Sequence, residues 1–348
     1  MDLKKRKHQE VRIQFKQGRW IMNRKLKGIT VFGTVWAVIF VAGICLCFGQ
    51  QYPNKQINVL LGYNPGGTVD VVFRPLAKAA EKYLGQPLMI TNNGAGGGTV
   101  ALGIFIKEKP DGYSLDVCHS GLLTMIPHLR EVTYKIEDFV PIMSFGTPQS
   151  GLAVKADSPF KTVKDVVEYA RKNPGKFTYF GGAPGAPTHV AVEFIAKQEG
   201  VQFSMVPFTG GAPALAALLG GHINAASGGA FVPQVKAGAV RILAMYTEKR
   251  VKEFPDVPTL RELGYNFVND EIFFVSAPKG TPAPIIKTLQ DNFKQAMQDE
   301  TFVQAASKMD VLVGYRSAED VRKYLTEAYG RYGKLIRDLK ISLEPEKK

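Results

Sequence analysis

Four glycine-rich loops contain the residues whose types and spacing could bind a ligand. Each loop follows an apolar run and precedes a helical pattern, and the loops cover residues 64–68, 94–98, 181–187 and 209–213. Glycine lets a backbone approach a ligand closely, and the first amides of a helix have no acceptor within that helix. Such amides, at the positive end of the helix dipole, favour an anion. One such loop is more often only a tight turn, but four together predict an anion-binding site.

Motifs for catalysis are missing from the sequence. The GAGGG stretch has Thr99 where a dinucleotide fingerprint needs its third glycine, and no GxxxxGK[ST], GxSxG, HExxH or CxxC motif occurs. Four histidines, none paired at a helical metal-ligand spacing, are expected to have structural roles: His119, His128, His189 and His222. We therefore predict no catalytic residue, no metal site and no cofactor.

The first 49 residues predict an export signal. They carry ten basic and two acidic side chains, which is +8 of the formal charge of +13, and their apolar run spans 29–49. Small residues at Cys47 and Gly49 favour cleavage after Gly49, and Met22 is an alternative start. The rival interpretation is an uncleaved membrane anchor, because about 20 apolar residues can span a bilayer. In both cases the rest of the chain is expected in the periplasm.

The chain after this segment predicts an α/β protein. Strands and helices alternate from Tyr52 onward, which is typical of mostly parallel sheets, and about 295 residues suffice for two domains. No low-complexity linker interrupts the pattern, so we expect the chain to cross between domains on strands. Cys118 is the sole cysteine left after cleavage, so no intrachain disulfide is expected. No basic block with interleaved aromatic residues occurs here, so we expect no nucleic-acid binding.

Several sequence words in this order resemble the extracytoplasmic solute receptors of tripartite tricarboxylate transporters, the Bug-type family. The resemblance runs from about Tyr52 to Lys340, and its words include YPNKQINVLLGYNPGGTVDVVFRPLA, LGQPLMITNNGAGGG, KPDGYSL, VPFTGGAPALAALLGGHIN, PDVPTLRELGY and APKGTPAPII. It implies a two-domain periplasmic-binding-protein fold of type II, with mixed, mostly parallel sheets and a ligand cleft between the domains. The expected parts are a signal peptide at 1–49, one domain of 50–150 plus 273–348, and a second domain of 151–272.

The resemblance also implies which residues hold the ligand. The first loop is expected to bind one carboxylate through its backbone, with Tyr63, Asn64, Pro65, Gly66, Gly67, Thr68 and Asp70. The opposing domain is expected to contribute Gly181, Gly182, Ala183 and Gly185 near His189, bordered by Thr209, Gly210, Gly211 and Ala212. Two roles stay open for Asp70: it interacts with the helix N-terminus, or it accepts a bond from an amino or hydroxyl group of the ligand.

Some positions depart from the family pattern. Phe180 stands where a glycine is expected, and the hydroxyls of a serine-rich loop are replaced in the stretch YFGGAPGA. Ile272 and Phe274 stand where tryptophan and glycine are common. Fewer hydroxyls and more bulk favour a less polar ligand, such as an aromatic or branched carboxylate.

These observations predict a monomeric periplasmic receptor. It would capture a di- or tricarboxylate or an aromatic carboxylate and deliver it to the membrane subunits of a tripartite transporter. One alternative is a ligand sensor, either soluble or tethered to the membrane by the N-terminal segment. A less favoured alternative is an exported enzyme acting on a carboxylated substrate, which would need an activated nucleophile or base in the cleft.

Overall fold

A computed structural model describes residues 52–229, 231–338 and 340–341. The predicted signal peptide or anchor at 1–49 and the alternative start at Met22 lie outside the described residues. Within the described part, strands and helices alternate as the sequence predicts.

Eleven strands occur in the described residues. They are β1 (Ile57–Leu61), β2 (Leu88–Asn92), β3 (Ser114–His119), β4 (Phe139–Pro148), β5 (Gly151–Lys155), β6 (Thr178–Phe180), β7 (Ser204–Met205), β8 (Ala225–Gly228), β9 (Val240–Met245), β10 (Phe273–Pro278) and β11 (Val311–Ser317).

Ten α-helices occur in the same residues. They are α1 (Thr68–Leu84), α2 (Thr99–Phe105), α3 (Gly121–Thr124), α4 (Val163–Lys172), α5 (Pro187–Glu199), α6 (Gly211–Leu219), α7 (Val232–Lys236), α8 (Ala283–Ala296), α9 (Glu300–Lys308) and α10 (Ala318–Asp338).

The two mixed sheets have the same arrangement of parallel and antiparallel strands. The six-stranded sheet has the order β11-β4-β10-β3-β1-β2, and the five-stranded sheet has the order β7-β6-β8-β5-β9. In each sheet three parallel strands lie next to one antiparallel strand, which is β10 in the larger sheet and β5 in the smaller. Each of these antiparallel strands is the first strand that the chain forms after leaving the other sheet. The two crossings therefore connect the two halves of the molecule.

The sheets contain fewer parallel pairs than the sequence predicts. In the described strands the parallel pairs are β1–β2, β1–β3, β6–β7 and β6–β8, whereas five pairs are antiparallel. The prediction rested on strands that alternate with helices, and such strands do pair in parallel. It missed β4, β5, β8, β10 and β11. Of these, β4, β5 and β10 lie where the chain crosses between the sheets, and β11 pairs with β4 at the edge of the larger sheet.

The first crossing runs directly from β4 to β5 through Gln149 and Ser150, as the lack of a linker predicts. All strands of the six-stranded sheet lie within 50–150 and 273–348, and all strands of the five-stranded sheet lie within 151–272. The domain boundaries themselves stay a prediction.

Local sequence explains the helices that support the site. Apolar residues three and four apart form the buried face of α1, which packs against α8 and α9. The helix ends at Gly85, whose φ of 68° is the left-handed conformation that stops helices. The main core cluster joins both sheets, since Phe105, Leu152 and Tyr324 all belong to it.

Candidate functional site

The first predicted loop connects β1 to α1 at the carboxyl end of β1. Asn64, Pro65, Gly66 and Gly67 are exposed in it. In open α/β sheets, ligands lie beyond the carboxyl ends of the strands. The loop therefore lies at the edge of the six-stranded sheet where folds of this kind bind their ligands.

Asp70 holds this loop in place. Its carboxylate accepts hydrogen bonds from the Gly66 N–H at 2.9 Å and the Asn92 amide at 2.9 Å, and it pairs with Arg74 at 2.8 Å. Burial alone would raise the pKa of Asp70, but the hydrogen bonds from Arg74, Gly66 and Asn92 lower it below its usual value. These contacts favour the structural role among the two that the sequence leaves open.

The amides of the loop divide into two groups. The N–H of Gly66 donates to Asp70, and the N–H of Gly67 donates to the carbonyl of Asn64 at 3.3 Å. The first turn of α1 differs, because no side chain caps the helix at Gly67. The amides of Thr68 and Val69 at this turn are the donors that a helix cannot satisfy itself.

Two further loops begin helices without a side-chain cap. The segment before α5 ends at Ala186, and the segment before α6 ends at Gly210, and neither residue has a capping hydrogen bond from a side chain. In contrast, α4 is capped by Thr162, whose hydroxyl accepts the N–H of Asp165. The helix starts at the predicted site thus lack the side-chain acceptor that α4 has.

His189 shapes the loop of residues 181–187. Its Nδ1 accepts the N–H of Gly185 at 2.9 Å, and burial lowers the pKa of the imidazole, which stays neutral and able to accept. The Thr188 hydroxyl donates to the Gly181 carbonyl at 2.7 Å. The Gly185 N–H is therefore paired within the loop, and the role of His189 is to hold the loop in this conformation.

The four loops meet one another. The Asn64 amide lies 3.5 Å from the Thr209 carbonyl, and a β-carbon added to Gly94 would lie 2.4 Å from Asn64 Oδ1. A β-carbon added to Gly97 would lie 3.2 Å from that of Ala183. The loops of the six-stranded sheet thus contact both loops of the five-stranded sheet.

Tyr63 points toward a residue pair that the sequence did not single out as a site. Its hydroxyl accepts the N–H of His119 at 2.8 Å, and the two rings lie 5.5 Å apart. The Nδ1 of His119 is in contact with Oε1 of Glu271. Burial, followed by the nearby Cys118 thiol, raises the pKa of Tyr63 well above its usual value, so the phenol stays neutral.

The structure therefore adds His119 and Glu271 to the site. His119 ends β3, and Glu271 lies just before the antiparallel β10, so both reach the edge at which the loop after β1 lies. The sequence signal was weak, because the two residues are 152 positions apart. An acidic residue directly before an apolar strand was the available hint.

Two pockets of about 600 Å³ or more lie away from these loops. One of about 640 Å³ is lined by Asp270, Arg331 and Tyr332 on the side of α10. Arg331 and Tyr332 both bond the Asp270 carboxylate there, at 2.6 Å and 2.7 Å, so its polar groups are paired. We assign no ligand to it.

Residues 72–341 match the family described as the tripartite tricarboxylate transporter family receptor. The chain belongs to this receptor family. The resemblance seen in the sequence words is thereby confirmed, and the family is one of binding receptors.

Relatives and solved structures agree with this membership. A Cupriavidus necator protein, the UPF0065 protein in the gbd 5′ region, is 35% identical over 294 residues, which are 83% of this chain and 89% of that protein. A Rhodopseudomonas palustris structure with adipate has 26% identity and a TM-score of 0.76, covering 84% of this chain and 99% of that one. MatC from the same organism, with bound malate, has 26% identity and a TM-score of 0.75, covering 82% and 100%. The two-domain periplasmic-binding fold is likewise confirmed.

Membrane-spanning helices and clusters of metal ligands are both absent from the described part of the chain. None of the helices there is both long and apolar enough to cross a bilayer. The same residues contain no group of three or more histidine, cysteine or acidic side chains that could hold a metal ion.

Proposed function

We propose that this receptor is exported to the periplasm and binds one small organic carboxylate between its two sheets. It then delivers the ligand to the membrane subunits of a tripartite transporter. The observation that carries this proposal is that the loops before α1, α5 and α6 belong to the loops that contact one another between the two sheets, and that none of these three helix starts is capped by a side chain. Their positive dipole ends and unpaired amides favour a carboxylate over a neutral solute.

We assign the ligand contacts to both sides of the cleft. On the six-stranded sheet they are the first turn of α1 at Thr68, together with Tyr63 and Asn64. On the five-stranded sheet they are the backbone of 181–183 and of 209–212. Gly66, Gly67, Gly185, Asp70 and His189 position these groups, because their own polar atoms are used within the loops.

The relatives support a carboxylate as the ligand. The two Rhodopseudomonas palustris structures named above hold adipate and malate, which are both carboxylates. Because a ligand that binds only the folded state raises its stability by RT ln(1 + [L]/Kd), carboxylates should raise the Tm of this protein.

Native mass spectrometry of the protein purified from cells tests the proposal. We expect a retained small acid that is released on denaturation, and we expect the same acid to raise the Tm when added back. A protein that retains no acid and is not stabilised by any carboxylate in a broad panel would contradict the proposal.

Incubation of the same acid with the protein distinguishes a receptor from an enzyme. The His119–Glu271 pair resembles a base with its orienting acid, but Ser120, the adjacent hydroxyl, accepts the Ile272 N–H at 3.1 Å and lies 3.3 Å from the Tyr324 hydroxyl. We expect the acid to be recovered unchanged after prolonged incubation with the protein. Conversion of the acid would favour the enzyme.

N-terminal sequencing of the exported protein separates the receptor from a tethered sensor. We expect the mature chain to begin at Gln50, which leaves it free to carry ligand to a transporter. Retention of the apolar segment would favour a protein that stays at the membrane and reports ligand occupancy.

A further inference from the structure

We infer that Glu271 restricts the cleft to monocarboxylates whose far end carries a hydrogen-bond donor, such as a hydroxyl or an ammonium group. This inference rests on the proposed function and narrows its ligand class. The Glu271 side chain is only 9% exposed and lies at the cleft edge of the six-stranded sheet, directly before β10.

Glu271 lies where the two halves of the molecule touch. A β-carbon added to Gly121 would lie 2.9 Å from Glu271 Oε1 and 2.7 Å from Cγ of Pro187. Pro187 is the first residue of α5, so the carboxylate lies beside the start of that helix. An anion at this position is favoured by the helix dipole. Glu271 thus places a negative charge of the protein itself beside the start of α5.

The two carboxylate oxygens of Glu271 differ in their contacts. Oε1 accepts the Gly121 N–H at 3.3 Å and is in contact with His119 Nδ1. No hydrogen bond from a described residue reaches Oε2, and His119 is the one described residue that forms an ion pair with Glu271. A carboxylate can accept several hydrogen bonds, so Oε2 is the acceptor left for a ligand.

The arginines near the cleft do not offset this charge. Arg130 donates to the Gly96 carbonyl at 2.6 Å, and Arg74 is paired with Asp70. A second ligand carboxylate beside Glu271 would therefore face a like charge in a partly dry site, which disfavours ionisation of either group. A hydroxyl or ammonium at the same place would instead form a charge-assisted hydrogen bond.

A matched set of probes tests the inference. The set is adipate and three analogues in which one carboxylate is replaced by hydroxymethyl, aminomethyl or methyl, and the same series built on terephthalate. Dissociation constants are measured by calorimetry and supported by Tm shifts. For the wild-type protein we expect the hydroxymethyl or aminomethyl analogue to bind at least about tenfold more tightly than the diacid of the same series, which corresponds to about 1.4 kcal/mol.

Glu271→Gln tests the residue itself. The substitution keeps the shape of the side chain and removes its charge. We therefore expect the preference for the hydroxymethyl or aminomethyl analogue over the diacid, given by the ratio of their dissociation constants, to fall at least about tenfold. The diacid should also bind more tightly than it does to the wild type. Glu168→Gln, the same change on the exposed face of α4, is the control and should leave the preference unchanged. If Glu271→Gln does not fold, the wild-type series decides.

The outcomes distinguish the inference from the proposed function. Tighter binding of the diacid by the wild type, or an unchanged preference in folded Glu271→Gln, overturns the inference and leaves the receptor proposal standing. Absence of binding by every member of both series, together with no acid retained from cells, overturns the proposed function.

Discussion

At the scale of single residues, the buried acids of this protein have opposite roles. Asp70 is fully paired and holds a loop, whereas both carboxylate oxygens of Asp116 lack a hydrogen-bond partner among the described residues. Burial raises the pKa of Asp116 to about 7, and the neighbouring Cys118 and Ser276 side chains offset only part of that effect. The first acid is thus stabilising when ionised, and the second is tolerated when protonated.

The pKa of Asp116 gives a prediction about pH. Because the pKa in the folded state exceeds that in the unfolded state, the folded protein binds the proton more tightly. The associated stability is present at low pH and is lost as the pH rises toward about 7, and the loss between about pH 5 and about pH 8 is on the order of 2 kcal/mol. We expect Asp116→Asn to gain stability relative to the wild type over this interval, as measured by urea unfolding.

Asp157→Asn is the control for that experiment, because its side chain is 70% exposed. The two variants should differ in the pH dependence of their free energy of unfolding. An Asp116→Asn profile that runs parallel to the wild type from acid to alkaline pH would show that Asp116 ionises normally.

Asp70→Ala is predicted to destabilise the protein by about 1–3 kcal/mol, because the Gly66 N–H and the Asn92 amide lose their partly buried acceptor. It should also weaken carboxylate binding, since the loop before α1 loses its internal anchor. The measurements are urea unfolding and calorimetry, with the exposed Asp157→Ala as the control. Weakened binding without any loss of stability would favour direct contact between Asp70 and the ligand.

At the scale of elements, the helices differ in how their starts are capped. Helix α4 is closed at its start by a threonine and an aspartate, while α1 begins at a glycine that offers no side chain. The sequence shows a threonine before α4 and a glycine before α1, but the meaning of this difference is evident only once the role of each helix is known. A capped helix start contributes stability, and an uncapped one leaves donors for a ligand.

Adding a cap to α1 should therefore compete with the ligand. Gly67 has φ −71° and ψ 165°, which suit a capping residue, and the nearest atom to an added β-carbon is the Asn64 carbonyl oxygen at 3.4 Å. We expect Gly67→Asp to preserve or raise the Tm of the ligand-free protein, because such caps contribute about 1 kcal/mol, and to weaken carboxylate binding about tenfold.

Gly67→Ala is the matched control, because it adds the β-carbon without an acceptor. Calorimetry with the acid recovered from cells should give near wild-type affinity for alanine and reduced affinity for aspartate. Equal losses for both substitutions would mean that space, and not the first-turn amides, limits binding.

At the scale of the whole molecule, the two sheets are joined by crossing strands and by contacts across the cleft. Gly121 is one of the closest contacts, because a β-carbon there would meet Pro187, Glu271 and His119 within 3.0 Å. Gly121→Val should hold the halves apart, and overpacking of this kind typically costs about 1–3 kcal/mol. We expect a larger radius of gyration in small-angle scattering and a smaller Tm shift with ligand.

Gly330→Ala is the comparison for that variant, because no atom lies within 4 Å of an added β-carbon at this position in α10. It should leave both the radius of gyration and the ligand response at wild-type values. A Gly121→Val protein that keeps the wild-type radius and ligand response would contradict closure at this point.

Much of the architecture was accessible from local patterns. The alternation of apolar runs and helical patterns from Tyr52 onward predicted the alternating strands and helices that the structure has. The crossing strands were missed because they are apolar runs without a helix beside them, so their sequence carries no period that distinguishes a strand from another buried segment. For the same reason the share of parallel pairing was overestimated.

The sequence by itself determined the family, the alternation of strands and helices, and the position of the glycine-rich loops, because each depends on residues close together in the chain. Tertiary structure alone decided which amides stay available, since Asp70 and His189 take up some of them by folding back on their loops. It also decided that His119 and Glu271 meet, because an antiparallel strand returning from the other sheet brings the acid to the end of β3. Pairing over such a distance depends on strand order and register, which local patterns do not specify.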